Sequence, residues 1–263
     1  MKQVEQKKLK LNDKLSKFYP QVPHANQITI GQLLTMEAGL QGKDESSYGT
    51  PVFKNNQAGI KYDIKHNIVF NKKQYNQRFY SSSNYILLSG ILEKVTHHSY
   101  ESLVKETYIK KLGLSETEFY WDIPKNKRIK VAVPYTKNSQ GYLVPHSVAV
   151  DKVHGNLGAG SLVMSNKDLY RATSAILNGE IIKPSSIHTV YAPAAPAKYN
   201  AGFYNFPDFH SSNGSGDGYT TYYRISNDTR DVLVVQSNYP VKDYFKVREI
   251  CNDLMENLIK SPS

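Results

Sequence analysis

One cysteine in 263 residues leaves no partner for a disulfide within the chain. That residue, Cys251, falls in the helical apolar pattern Val247, Ile250, Cys251, Leu254 and Leu258, so it reads as a buried small side chain. No histidine or second cysteine stands near it at ligand spacing, which leaves neither a zinc site nor a thiol nucleophile. The other histidines (24, 66, 97, 98, 146, 154, 188) are scattered, and no metal or other cofactor is expected. No run of about eighteen apolar residues exists, so no membrane span is encoded. The opening Met-Lys-Gln-Val-Glu-Gln-Lys-Lys has no apolar signal core, and no export signal is expected in this chain.

Charge is what the sequence has in excess. Lysine and arginine number 33 against 23 acidic residues, a net +10. Nucleic acid is not the expected partner, because no basic run alternates with aromatics and no recognition motif occurs. Two readings stay open: a solvated lysine coat, or attraction to a polyanion. Twenty tyrosines against nine phenylalanines suit polar clefts more than a dry core. The length allows one large domain or two lobes sharing an interface.

Along the chain, residues 4–18 read as a charged helix end stopped by Pro20 and Pro23. Apolar positions 30, 33, 34 and 36 predict a helix over 28–36 with Gly39 as its stop. Residues 41–67 read as a long loop. Helices are expected at 84–95 and 100–111, a strand or bend at 116–121, and a hairpin of 131–134 with 142–144. Glycines cluster at 155, 158 and 160. Asn166-Lys-Asp168 caps a helix to 178–179, and a Pro/Ala linker covers 191–198. Strands at 219–225 and 231–236, joined by the turn 226–230, precede a final helix from about 241 to 259. The fold class is α+β (mixed α/β), with a sheet of only two or three strands.

The segment Tyr80-Ser81-Ser82-Ser83-Asn84-Tyr85 opens an apolar helix. Upstream stands Ile28-Thr-Ile-Gly-Gln-Leu-Leu-Thr-Met-Glu-Ala-Gly-Leu40. With Glu5–Leu15, Leu112-Gly-Leu114 and Gly158–Leu169 in register, the chain resembles the serine β-lactamase and DD-peptidase-related hydrolases. Gly202-Phe-Tyr204, Asn213-Gly214 and Tyr222-Tyr223 look most like the teichoic-acid D-alanyl esterase subgroup. The resemblance implies a single β-lactamase/transpeptidase-like domain over 1–263. Its helical lobe, about 1–190, is set against a flanked antiparallel sheet with a C-terminal helix, about 199–260. The substrate would be a D-alanyl ester or amide of a cell-wall polymer, at an extracellular, cell-wall location.

Catalysis in such enzymes needs Ser-x-x-Lys, then Tyr-x-Asn or Ser-x-Asn, then Lys/His-x-Gly. A serine hydroxyl is a poor nucleophile unless a lysine and a tyrosine or serine relay its proton. The first element is expected upstream of Met1 and is absent. The lone match, Ser102-Leu-Val-Lys105, reads as coincidence. The resemblance then implies an N-terminally shortened chain, inactive alone and lacking two sheet strands. In the second element Tyr80 would assist proton transfer, with Ser82 where asparagine is usual. A shifted register, Ser82-Ser83-Asn84, puts Asn84 in the lysine network. The alternative for Ser82 or Ser83 is helix capping. The third element is Ser212-Asn213-Gly214, with Ser212 replacing the basic residue and Asn213-Gly214 lining an acyl pocket. The alternative there is a glycine-rich turn. His210 reads as a loop histidine. A non-enzymatic reading, a binding protein for an anionic wall polymer, also stands.

Overall fold

A computed structural model describes residues 1–42, 52–126, 128–148 and 157–261. The chain forms two compact units, 1–127 with 149–163, and 128–148 with 164–263.

In the first unit, α1 (Lys2–Glu5) is short. The expected helical stretch to residue 18 is otherwise turns and one 3-10 segment at Leu15–Lys17, because Asp13 folds back onto the Lys10 amide. Helix α2 (Ile30–Thr35) starts at a capping box in which Thr29 and Gln32 satisfy each other's amides. It stops at left-handed Met36, so Gly39 is not its terminator. Gly39 lies instead in β1 (Ala38–Gly42), at φ +69, where a Cβ would stand 3.0 Å from the Asn71 carbonyl. The expected loop over 41–67 contains α3 (Asn56–His66), nucleated by Asn55, whose side chain accepts from Ala58 N–H. Gly49 and Pro51 lie outside the described residues. Strand β2 (Ile68–Tyr75) then pairs antiparallel with β1.

Helix α4 (Ser82–Thr96) buries Ile86, Leu87, Gly90 and Ile91 against a core of Leu15, Ile28, Leu33, Leu40 and Ile60. At Gly90 a Cβ would come within 2.2 Å of Tyr19 Oη and 2.3 Å of Ile60 Cδ1, so only glycine lets α3 approach this closely. Helix α5 (Tyr100–Val104) runs on through a π-helical turn at Lys105–Lys110, and β3 (Thr117–Phe119) leads into a 3-10 segment, Tyr120–Lys125. Further along, β4 (Tyr135–Lys137) and β5 (Leu143–Pro145) form the expected hairpin a few residues late on its first arm. Strand β6 (Leu162–Met164) pairs with β3.

The second unit is built on a five-stranded antiparallel sheet, not two or three strands, in the order β11-β10-β9-β8-β7. These are β7 (Lys198–Asn200), β8 (Phe203–Asn205), β9 (Phe209–Gly216), β10 (Tyr219–Ser226) and β11 (Val232–Ser237). The first two are too short to show alternation. Helices α6 (Asn166–Leu177), capped by Ser165, and α7 (Pro184–Tyr191) precede the sheet, and α8 (Tyr244–Lys260) follows it. Along α8 only Cys251 and Met255 are buried; Ile250, Leu254 and Leu258, expected on the same inward stripe, are exposed.

Candidate functional site

In the first unit the loop before α4 is held from below by α2's end: Asn76 N–H donates to the Glu37 carbonyl and Phe79 N–H to the Met36 carbonyl, both at 2.9 Å. This delivers Tyr80 to the surface, 56% exposed. The next residue turns inward. Ser81, not Ser82 or Ser83, occupies the helix cap position, yet its side chain makes no capping bond. Its Oγ is buried without a partner. Ser82 is the first helical residue and half-buried. Asn84 is 1% exposed; its Nδ2 donates to the Ser81 carbonyl at 3.0 Å, while its Oδ1 is buried and unpartnered.

An unmatched buried polar atom costs about 1–3 kcal/mol. Here two lie within one helical turn. Asn84 Oδ1 can only accept, and the Ser81 hydroxyl can accept, so the pair suits a group rich in N–H donors, such as an ammonium. The sequence reading missed Ser81, whose only signal was its place between an exposed tyrosine and an apolar helix.

The one Ser-x-x-Lys of the sequence is differently employed. Ser102 sits in the first turn of α5, its N–H on the Ser99 hydroxyl. Lys105 Nζ lies 2.8 Å from Asp122 Oδ2 and 3.2 Å from Glu118 Oε1. Desolvation alone would lower its pKa, but hydrogen bonds to Asp122 and Glu118 carry the net shift upward. A lysine held protonated cannot take a serine proton.

In the second unit, Ser212, Asn213 and Gly214 all lie in β9. The turn begins three residues beyond Gly214, at Asp217 (φ 50) and Gly218 (φ 80), a two-residue hairpin of the primed kind. Gly214 is exposed, and a Cβ there would meet nothing within 4 Å, so the fold itself does not demand glycine at this position. Directly paired residues share a sheet face. Ser212 is opposite Tyr223, whose hydroxyl bonds Thr173 of α6; Asn213 is opposite Tyr222, whose hydroxyl reaches the Tyr244 carbonyl of α8. Ser212 and Gly214 thus look one way and Asn213 the other.

Behind Asn213 is Arg224, fully buried. Its guanidinium donates to Asn213 Oδ1, the carbonyls of Ser212, Tyr223 and Arg248, and Asn252 Oδ1. Every partner is a neutral oxygen, and desolvation brings its pKa down to about 10. Sequence reading passed over it, since an arginine in Tyr-Tyr-Arg-Ile looks like an outward residue. His210 is not in a loop: it is a buried strand residue whose Nδ1 lies 2.8 Å from Asn205 Oδ1 between the rings of Tyr191 and Phe203. The Asn205 amide nitrogen donates to the Lys198 carbonyl, so its oxygen faces the imidazole and Nδ1 carries the proton. Burial lowers the His210 pKa to about 4.

Among the described residues no cluster of three or more His, Cys, Asp or Glu could hold a metal ion, and no helix is long and apolar enough to cross a membrane.

The chain is similar to several known proteins. The chain is 28% identical over 267 residues to the teichoic acid D-alanine hydrolase of Staphylococcus aureus, and 26% identical over 259 residues to the putative penicillin-binding protein PbpX of Bacillus subtilis (strain 168). Each alignment covers 97% of this chain and 62% of the relative, so the chain spans less than two-thirds of their length. The crystal structure of FmtA from S. aureus superposes with a TM-score of 0.79 at 24% identity, covering 97% of this chain and 70% of that one. The D-amino acid amidase of Ochrobactrum anthropi SV3, complexed with D-phenylalanine, gives 0.79 at 17%, covering 99% and 80%. These likenesses show a mixed α/β, transpeptidase-like fold. The beta-lactamase family model matches residues 1–250, and the chain belongs to that family.

Proposed function

We propose that the chain is a homologue of serine hydrolases that open D-alanyl ester or amide bonds of cell-wall polymers through an acyl-enzyme, and that these 263 residues are inactive alone. The observation that carries the reading is the exposed Tyr80 next to the buried, unmatched Ser81 Oγ and Asn84 Oδ1. In acyl transfer a serine attacks the D-alanyl carbonyl, and a tyrosine and lysine pass its proton to the leaving group. Tyr80 has the freedom for that transfer. The paired acceptors fit a lysine ammonium, with Ser82 at the helix start beside them. In the other unit, open space above Gly214 lets an acyl group approach the β9 backbone. Relatives named for D-alanine hydrolysis support the substrate class and a cell-wall location. Inactivity follows from the one Ser-x-x-Lys present, whose Lys105 is committed to Asp122 and Glu118.

The test is intact-mass spectrometry after incubation with a labelled penicillin. No adduct is expected, and a covalent adduct on any serine overturns the inactivity. Fusing the Ser-x-x-Lys segment of a curated relative ahead of Met1 should confer D-alanyl ester hydrolysis that Tyr80→Phe abolishes. A soluble, folded fusion with no turnover overturns the substrate reading.

A second reading rests on the +10 charge and on serine at both 82 and 212. It makes the chain a non-catalytic binder of an anionic wall polymer. Such binding should weaken as salt rises; retention on a polyglycerol-phosphate matrix that ignores salt removes charge from the account.

A further inference from the structure

The β4–β5 hairpin is fixed at both ends, and all the residues that fix it belong to the second unit. At its base the Asn238 carbonyl accepts from Tyr135 N–H, and the Asn238 side-chain amide donates to the Val133 carbonyl, both at 2.8 Å. Tyr219 Oη donates to the Ala132 carbonyl at 2.7 Å. Gly218 packs so closely here that a Cβ would stand 2.8 Å from Pro134 Cβ and 2.9 Å from the Tyr135 carbonyl. The tip is ordered too. Asn138 Oδ1 accepts from the N–H groups of Gln140 and Tyr142, and Gly141 supplies a positive φ of 85 for the reversal.

A hairpin that lies on its own domain hides one of its two faces. This one hides neither at the tip. Tyr142, whose carbonyl accepts from Asn138 N–H, continues the ladder, and neighbours along a strand point to opposite faces. Yet Tyr142 is 71% exposed and Leu143 50%, and Val133 on the lead-in is 52% exposed. Lys137 pairs directly with Leu143, so an exposed lysine shares the leucine's face. Residues 128–148 contain Arg128, Lys130 and Lys137 and no aspartate or glutamate. Asp217, in the adjoining turn, lies beside the anchored base, where Gly218 meets Pro134. An ordered turn thus holds a Tyr-Leu pair out in water, flanked by cations.

We infer that this hairpin docks the second unit onto an anionic lipid surface, with Tyr142 and Leu143 entering the headgroup boundary and Lys137 meeting lipid phosphates. Exposed apolar side chains beside cations match a surface that is negative at its boundary and apolar beneath. A lysine next to a buried leucine keeps its ammonium at the phosphates while its stem stays apolar. A phosphodiester polymer would satisfy the cations but has no apolar layer in which to bury the Tyr-Leu pair. So few apolar side chains give a shallow, reversible attachment that charge strengthens and salt weakens. Docking of this kind asks nothing of Tyr80 or Gly214 and is separate from the proposed hydrolysis.

Vesicle sedimentation of the whole chain tests this, with phosphatidylcholine alone and with an equimolar mixture of phosphatidylcholine and phosphatidylglycerol. The chain should pellet with the mixed vesicles and stay in solution with the neutral ones. Leu143→Glu and Lys137→Glu, both at exposed positions, should each weaken binding about tenfold, with the far-ultraviolet circular dichroism unchanged. Leu143→Trp keeps the apolar bulk, and the emission it adds should shift to the blue on mixed vesicles. No pelleting with mixed vesicles, equal pelleting with neutral ones, or binding that survives both glutamate substitutions would each overturn the inference. An added indole that stays in water on the pelleted chain would show attraction by charge alone, as a polymer ligand gives, and would overturn it too.

Discussion

Arg224 donates to Asn213 Oδ1 at 3.0 Å, so the middle residue of the Ser212–Gly214 strand is anchored by a fully buried cation that no carboxylate among the described residues pairs with. The same guanidinium ties two strands to α8. Replacing it by leucine should leave several buried oxygens without donors, at about 1–3 kcal/mol for each that water cannot reach. We expect Arg224→Leu to lower stability by roughly 3 kcal/mol or more in chemical denaturation. Arg224→Lys should recover only part, since one ammonium cannot span the fork of partners. Full stability in the lysine variant would show that the fork geometry is unimportant.

His210 makes the fold acid-sensitive. Its pKa falls from 6.5 to about 4 because burial disfavours the imidazolium. The unfolded chain therefore binds the extra proton first, and stability rises with pH between about 4 and 6.5 and is lost as pH falls through that window. A shift of this size corresponds to a contribution on the order of 3 kcal/mol. His210→Gln should flatten the unfolding midpoint between pH 4 and 6.5; an unchanged slope would place the sensitivity elsewhere.

How much of this was legible depended on pattern length. The helices at 84–95 and 166–178 and the final strand pair showed themselves because several turns or alternations repeat. The β7 and β8 strands, three residues each, carry no period to read. Helix α3 was hidden because few of its positions are apolar and its start rests on one side-chain bond from Asn55. The motifs alone point to Tyr80 in the first unit and to Gly214 in the second as expectations. The burial of Ser81 and the reach of Arg224 could not be read from them, because both depend on neighbours distant in sequence. The stripe on α8 misled for a related reason: spacing marks apolar flanks without saying which one has a partner.

Lys105 allows a direct test of the one Ser-x-x-Lys in the chain. Its pKa is raised, so at neutral pH it is an ion-pair donor to Asp122 and Glu118 and no base. Ser102→Ala should leave penicillin labelling and any ester turnover of the fused chain unchanged. Lys105→Met should act through stability, by no more than about 1 kcal/mol given its partial exposure. A loss of labelling in either variant, with the thermal midpoint held, would return this pair to the chemistry.

Ser81 separates the needs of folding from those of a site. Its hydroxyl is buried, makes no capping bond and has no partner among the described residues, so there it contributes a desolvation cost without a compensating bond. Ser81→Ala should therefore be neutral or raise stability by up to about 1–2 kcal/mol, against the usual loss when a capping serine is removed. In the fused, active chain the same substitution should slow D-alanyl ester hydrolysis, because the lysine ammonium would lose one of its two acceptors. Differential scanning calorimetry and turnover on the same pair of proteins read both effects. Destabilisation in the short chain would mean that Ser81 caps α4 after all, and the ammonium site would lose one of the two atoms on which it rests.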